Sequence, residues 1–149
     1  MQATWTYTTF SELSAAALYA IMRLRNEVFV VEQQCVYQDA DNKDEQCFHL
    51  ALWIGDELVA YCRILPPGLS YTTPGIGRVV NSPAYRTKGY GRMLMQKAIT
   101  TTLQQFNLPT ITISAQLYLS GFYTSLGFVQ VSEMYLEDNI PHIEMIFTA

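Results

Sequence analysis

Residues 84–99 read AYRTKGYGRMLMQKAI. Gly89 and Gly91 stand one residue apart, with Arg86, Lys88 and Arg92 around them and an amphipathic run behind. The first amides of a helix have no partner within it and carry the positive end of its dipole. Glycine lets such a backbone approach a guest closely, so an anion, a phosphate above all, suits the place. Cations gather in the same region: Arg78, Arg86, Lys88, Arg92 and Lys97 are five of the nine Lys and Arg residues in a chain of net charge −4. This basic island in an acidic protein points to a small anionic ligand. Two phosphate loops fail on residue type. A Walker loop needs Gly-Lys-Ser/Thr, but Arg92 and Met93 follow Gly91. A dinucleotide loop needs a third glycine where this chain has Leu94.

The elements around this loop follow from hydrophobic periodicity. TWTYTT over residues 4–9 predicts a strand, and the spacing of Ala17, Leu18, Ile21, Leu24 and Val28 predicts a helix over 14–29. VYQDADNKDEQ lacks periodicity and reads as a loop. CFHLALWI and LVAYCRIL form a hairpin about Gly55-Asp56, and PPGLSYTTPG leads into a strand, IGRVV. Leu94, Met95, Ala98, Ile99, Thr102, Leu103 and Phe106 give one apolar stripe, so residues 90–106 form a helix that Asn107 and Pro109 stop. TITISA is a strand, LYLSGFYTSLGF a short helix ended by Gly127, and VQVSEMYLE and HIEMIF two last strands joined by DNIP. The expectation is a single α/β domain over residues 1–149 with a mixed sheet, in which 76–115 makes a right-handed parallel crossover. The glycine loop then lies at the carboxyl end of a strand, where such sheets bind ligands.

Half of the residues are hydrophobic and 15% are charged, which fits a globular chain. A pI near 5.0 argues against a general nucleic-acid binder. No apolar run approaches the roughly 20 residues that cross a bilayer, and MQATWTYTTF lacks the features of a signal peptide. Cys35, Cys47 and Cys62 are odd in number and without metal spacing. These features lead to the expectation of a cytoplasmic protein with free thiols, no metal, and no membrane or nucleic-acid partner.

One loop pattern does fit. RTKGYG, residues 86–91, resembles the coenzyme A pyrophosphate loop of the GCN5-related N-acetyltransferase (GNAT) superfamily, Arg/Gln-x-x-Gly-x-Gly/Ala. FYTSLGF, residues 122–128, matches a second superfamily pattern, Phe-Tyr-x-x-Leu-Gly-Phe, position by position. RLRNEVFVVEQQCVYQDADNKD, YCRIL and EDNIPHIEM are similar to the ElaA-like branch, so the resemblance covers nearly the whole chain from about residue 20. That branch often has Asp-Gly-Ile-Pro-His where this chain has Asp138-Asn139-Ile140-Pro141-His142. Asn tolerates the left-handed backbone that Gly supplies, so the turn should persist.

The resemblance implies the GNAT-like fold, a central mixed and mostly antiparallel sheet flanked by helices. It also implies an acetyl-CoA-dependent N-acetyltransferase that acetylates a primary amine. In that reading the amides from Thr87 through Lys88, Gly89, Tyr90 and Gly91 to Arg92 cap the pyrophosphate, with the Arg86 side chain nearby. The backbone of Arg78, Val79 and Val80 pairs with the pantetheine arm, and the Val80 N–H faces the thioester oxygen. Tyr123 corresponds to the general acid that protonates the departing thiolate, because a phenol keeps its proton at neutral pH. The base is open among Glu32, His49, Glu133 and His142. His142, at the start of the last strand, and Glu32, after the apolar VFVV, are the two carried forward.

Several further readings stay open at this point. Arg63 either binds an acceptor carboxylate or pairs with an internal acid. Asp39, Asp41, Asp44 and Glu45 either attract a cationic amine or form a solvated loop. A non-catalytic acyl-CoA-binding module is the alternative function, and a homodimer is an open partner because superfamily members often dimerise. Arg25-x-x-Val28-Phe29 also resembles acyl-homoserine-lactone synthases, without that family's further motifs.

Overall fold

The computed structural model describes residues 2–149. Strand β1 (Ala3–Thr9) leads to helix α1 (Ala15–Arg25), where the Ser14 hydroxyl caps the first turn by accepting from the Ala17 amide at 3.0 Å. The expected helix runs three residues past Phe29, because α1 widens into a π-helical segment at Asn26–Glu32. Such wide turns occur often at functional sites.

Strands β2 (Phe48–Ile54) and β3 (Glu57–Leu65) form the hairpin, β4 (Gly75–Asn81) precedes the glycine loop, and α2 (Tyr90–Phe106) has the expected bounds. Asn107 ends α2 in a left-handed conformation, φ +51°, with its amide donating to Leu103 O at 3.0 Å. Then come β5 (Thr110–Gln116), the short α3 (Ser120–Ser125), β6 (Phe128–Gln130), β7 (Tyr135–Glu137) and β8 (Ile140–Thr148).

The eight strands make one sheet in the order β1-β2-β3-β4-β5-β8-β6, with β7 also paired to β8. Every pairing is antiparallel except β4–β5. One expected strand, VQVSEMYLE, is two. The Val131 amide still donates to Glu144 O at 2.9 Å, then Ser132 Oγ takes the Glu144 amide at 2.9 Å in place of a backbone acceptor, and pairing resumes at Tyr135. The Asp138-Asn139 turn persists with both residues left-handed, φ +50° and +63°.

Strand alternation gives the sheet two apolar faces. Leu50, Leu52, Ala60, Cys62 and Ile64 pack beneath Leu94, Met95, Ala98 and Ile99 of α2. Ala51, Tyr61 and Val80 turn the other way, against Ile21, Leu24 and Val28. Burying each of these Leu and Ile side chains contributes about 1.5–3 kcal/mol.

The sheet opens where β4 meets β5. Only Gly75 and Thr112 are paired, and beyond them the strands part. A bulge accounts for the divergence. Tyr61 faces Val80 and Arg63 faces Gly77, so β4 carries one residue more than β3 across that interval. Arg78 sits in the bulge at φ +50°, and a bulge bends its strand and sharpens its twist. The β5-facing edge of β4 is therefore left without a strand partner from Ile76 onward.

Candidate active site

The gap between β4 and β5 is a cavity of about 550 Å³ that brings together Val80, Asn81, Gly91, Tyr123, Glu137 and His142. Its upper lip is the glycine loop. Thr87 and Gly89 adopt positive φ, +65° and +82°, which turns successive amides outward. Among the described residues, the amides of Gly89, Tyr90, Gly91 and Arg92 have no acceptor, and Met93 makes the first helical bond, to Gly89 O at 3.1 Å. A Cβ on Gly91 would meet only the Asn81 side chain, at 4.0 Å, and would stand in the cleft. Packing within the chain does not demand glycine there, whereas close approach of a ligand does. Asn81 Oδ1 is buried without a partner. An exposed ladder edge, an orphaned amide oxygen and a row of free N–H groups fit the pyrophosphate and pantetheine of coenzyme A.

The basic island divides when its partners are seen. Arg86 is held by Glu32 in a two-point contact at 2.6 and 2.7 Å. Arg78 lies 2.8 Å from Asp39 and donates to the Asp39 carbonyl at 3.0 Å. Lys97 lies over the Trp5 ring, away from the loop. Lys88, over Tyr85, and Arg92, which donates to Ser125 Oγ at 2.8 Å, stay beside the free amides. So the expectation of five clustered cations serving one anion is corrected: only part of the cluster faces the loop. The Arg78 side chain points into the acidic loop, and Val79 and Val80 pack on the core. The main chain of these three residues is what borders the cleft.

Of the four acids in the loop, Glu45 is exposed, whereas Asp39, Asp41 and Asp44 are engaged within the chain and not free to attract an amine. Arg25, 0% exposed, donates to Asp44 at 2.7 Å and to Asp39 at 2.9 Å. Arg63 donates to Asp41 at 2.6 Å and to Asp44 at 3.0 Å. Three arginines from α1, β3 and β4 thus engage Asp39, Asp41 and Asp44. Burial would raise the Asp41 and Asp44 carboxyls, but hydrogen bonds from Arg63 and Arg25 hold both below their ordinary values. Arg63 pairs with internal acids, and Arg25 serves this same network. The periodicity of VYQDADNKDEQ gave no sign of it, because its partners lie in other elements.

Tyr123 is 6% exposed, lines the cleft, and its hydroxyl has no hydrogen-bond partner among the described residues. Burial raises its pKa, so it holds its proton. His142 is equally enclosed and lines the same cavity. Its Nδ1 is 2.7 Å from Ile140 O, and a carbonyl only accepts, so Nδ1 carries a proton. In the neutral ring the lone pair is then on Nε2, which lies 3.5 Å from Glu137 Oε2.

The other base candidates sit elsewhere. His49 is buried between the Tyr61 hydroxyl (2.7 Å) and Asp44 O (2.9 Å), away from the cleft, and burial lowers its pKa. Glu133 is exposed outside the cavity. Glu32 reaches the cleft, but its contact with Arg86 lowers its pKa and weakens it as a base. Sequence reasoning missed Glu137. The hairpin register that pairs Glu137 with Ile140 and Tyr135 with His142 places Glu137 and His142 on one face, and a two-residue turn at Asp138-Asn139 was the available signal.

The acetyltransferase (GNAT) domain profile matches residues 10–149. The chain belongs to the GNAT acetyltransferase family. Protein ElaA of Escherichia coli is 44% identical over 143 residues, 95% of this chain and 94% of that protein. The crystal structure of E. coli ElaA superposes with a TM-score of 0.91 at 42% identity, covering 98% of this chain and 99% of that one. An acyl-CoA N-acyltransferase from Pseudomonas aeruginosa gives 0.94 at 41% identity, covering 99% and 100%. These place the chain in the ElaA-like branch of the family, with acyl-CoA-dependent N-acyl transfer as its general activity. Among the described residues no helix is long and apolar enough to cross a membrane.

Proposed function

We propose that the chain is an acetyl-CoA-dependent N-acetyltransferase acting on a primary amine, with Tyr123 as general acid and His142 as general base. The observation that carries this reading is the meeting, in one cleft, of Gly91 from the glycine loop with its free amides, the partnerless Tyr123 hydroxyl and the His142 ring. Residues Thr87 to Arg92 hold the pyrophosphate of the donor, and the open edge of β4 at Arg78–Val80 receives its pantetheine arm. Ser82 N–H donates to Val59 O at 2.8 Å in register with the Tyr61–Val80 pair, so the Val80 N–H expected to meet the thioester oxygen turns toward β3 instead. That donor is an amide of the open edge such as Asn81, where a preorganised hydrogen bond is worth about 2.7–4 kcal/mol.

His142 Nε2 takes one proton from the acceptor ammonium, leaving a neutral amine. Its nitrogen forms a bond to the thioester carbonyl carbon and the C–S bond breaks. The departing sulfur takes the Tyr123 proton, and the nitrogen's surplus proton restores the phenol. The products are an amide, a free thiol and one proton that His142 returns to water. The enclosure that raises Tyr123 also disfavours a bare thiolate, so donor and acceptor of this proton shift together. Glu32, engaged by Arg86, serves to hold the loop rather than to take protons.

Calorimetric titration with coenzyme A, paired with thiol release from acetyl-CoA and a broad amine panel, tests the reading. Binding with turnover supports it. Binding without turnover on any amine overturns it in favour of a non-catalytic acyl-CoA-binding module.

A further inference from the structure

The cleft does not stop at Tyr123. Beyond Ile76 and Gly77 it continues into a second cavity of about 380 Å³, and Tyr37, Ser114, Glu137 and Asp138 line both. Glu137 and Asp138 therefore stand at the junction, on the far side of the cleft from the glycine loop. Charge at this end divides unequally. Arg63 and Arg78, which also border the second cavity, are engaged by Asp39, Asp41 and Asp44. Lys43 donates to Ser70 Oγ at 2.8 Å. Among the described residues, neither Glu137 nor Asp138 makes a salt bridge with Lys or Arg.

Glu137 has two neighbours that aim it. Ser114 Oγ lies 3.3 Å from Oε1, and His142 Nε2 lies 3.5 Å from Oε2. The second separation is long for a hydrogen bond between neutral imidazole and carboxylate, and in that tautomer both atoms are acceptors. Two acceptors side by side call for a donor between them. An ammonium group supplies three N–H bonds and a positive charge. Tyr123, nine-tenths buried with a free hydroxyl, borders the same chamber and independently marks it as a ligand site.

We propose that the acceptor's reacting nitrogen is a primary alkylammonium seated between Glu137 Oε and His142 Nε2, with its chain extending past Tyr37 into the second cavity. Glu137 is the residue that recognises the cation, and His142 takes its proton. A carboxylate on the carbon bearing the nitrogen would lie beside Glu137 and Asp138 and be repelled, so the site selects alkylamines over α-amino acids. This inference rests on the acyl-transfer reading and adds the class of acceptor and the residue that selects it.

The test uses n-butylamine and 2-aminopentanoate, which differ by a carboxylate on the carbon bearing the nitrogen. Wild-type kcat/KM should favour n-butylamine by at least tenfold. Glu137→Gln should lower n-butylamine turnover by ten- to a hundredfold while narrowing the preference between the two. Glu137 is nearly half exposed, and an unchanged melting temperature would show the variant folded. Equal or better use of 2-aminopentanoate by the wild type overturns the proposal, as does a Glu137→Gln variant with unchanged kinetics. Should neither amine be acetylated, titration of n-butylammonium against the His142 ring resonances decides. A shift in the wild type that Glu137→Gln abolishes supports the seat, and no shift in the wild type removes it. Failure of the acyl-transfer reading itself appears separately, as absent coenzyme A binding in calorimetry or as no thiol release across the whole amine panel.

Discussion

At the glycine-loop end of the cleft the binding groups are main-chain amides from neighbouring residues, 89 to 92, with no side chain needed to present them. At the β7–β8 end they are side chains of Ser114, Tyr123, Glu137 and His142, gathered from three strands and a helix. The first end can be built by one short segment whose glycines allow it. The second needs the whole sheet in register, and behind it the Arg25–Asp44 network that fixes the acidic loop against α1, β3 and β4. A donor shared across a family suits the first construction. An acceptor that differs between members suits the second, since single substitutions there change chemistry without disturbing the fold.

Substitutions at the two ends should therefore behave differently. The largest effect is expected where the ends meet: Tyr123→Phe should lower kcat by about 10²–10⁴-fold with little change in coenzyme A affinity. Equal rates in the variant and wild type across pH would remove the acid role. The next is structural. Asp44→Asn leaves Arg25 and Arg63 short of a buried partner and should destabilise the fold by about 3–5 kcal/mol, read from urea unfolding. A loss below about 1 kcal/mol would mean the network does not hold the acceptor end together.

At the donor end, Gly91→Val should weaken coenzyme A binding by about 1.5–3 kcal/mol for each amide–phosphate bond it displaces. Lys88→Ala should cost only about 1 kcal/mol, and less as salt rises. If Lys88→Ala proves the costlier of the two, side chains rather than backbone hold the phosphates.

Acid should act on the acceptor end first. Asp41 and Asp44 titrate below their ordinary 3.8 in the fold, so the unfolded chain takes up those protons at higher pH. Their stabilisation is complete above about pH 4 and fades as the pH falls below it. His49, held neutral by burial, adds a loss beginning below its ordinary 6.5, where only the unfolded chain is protonated. Unfolding midpoints should fall gently below pH 6.5 and steeply below pH 4, and Asp44→Asn should blunt the steep part. A flat profile would contradict this. The smallest effect is chemical. Cys35 lines the cleft, whereas Cys47 and Cys62 are buried and burial raises both thiols, Cys47 to about 11. Alkylation should reach Cys35 first and slow when coenzyme A is present.

The same contrast governs what could be read from the sequence. The glycine loop and the Phe122–Phe128 run were legible because contiguous residues build them, and α2 was legible because its apolar stripe is unbroken from Leu94 to Phe106. The β4–β5 cleft depends on a bulge at Arg78, and no local pattern announces a left-handed arginine in a strand. The division of VQVSEMYLE into β6 and β7 turns on one hydroxyl, Ser132, meeting Glu144 twelve residues away. Asp39, Asp41 and Asp44 read as a polar loop because their partners, Arg25, Arg63 and Arg78, sit on three other elements. Glu137 carries no local pattern of its own, although a two-residue turn places it beside His142.

A structure of the chain with coenzyme A bound is the decisive experiment. The diphosphate should lie on the amides of residues 89–92, the pantetheine along β4, and the sulfur within hydrogen-bond reach of the Tyr123 hydroxyl. A cofactor bound away from those amides, or with its sulfur remote from Tyr123, would contradict it.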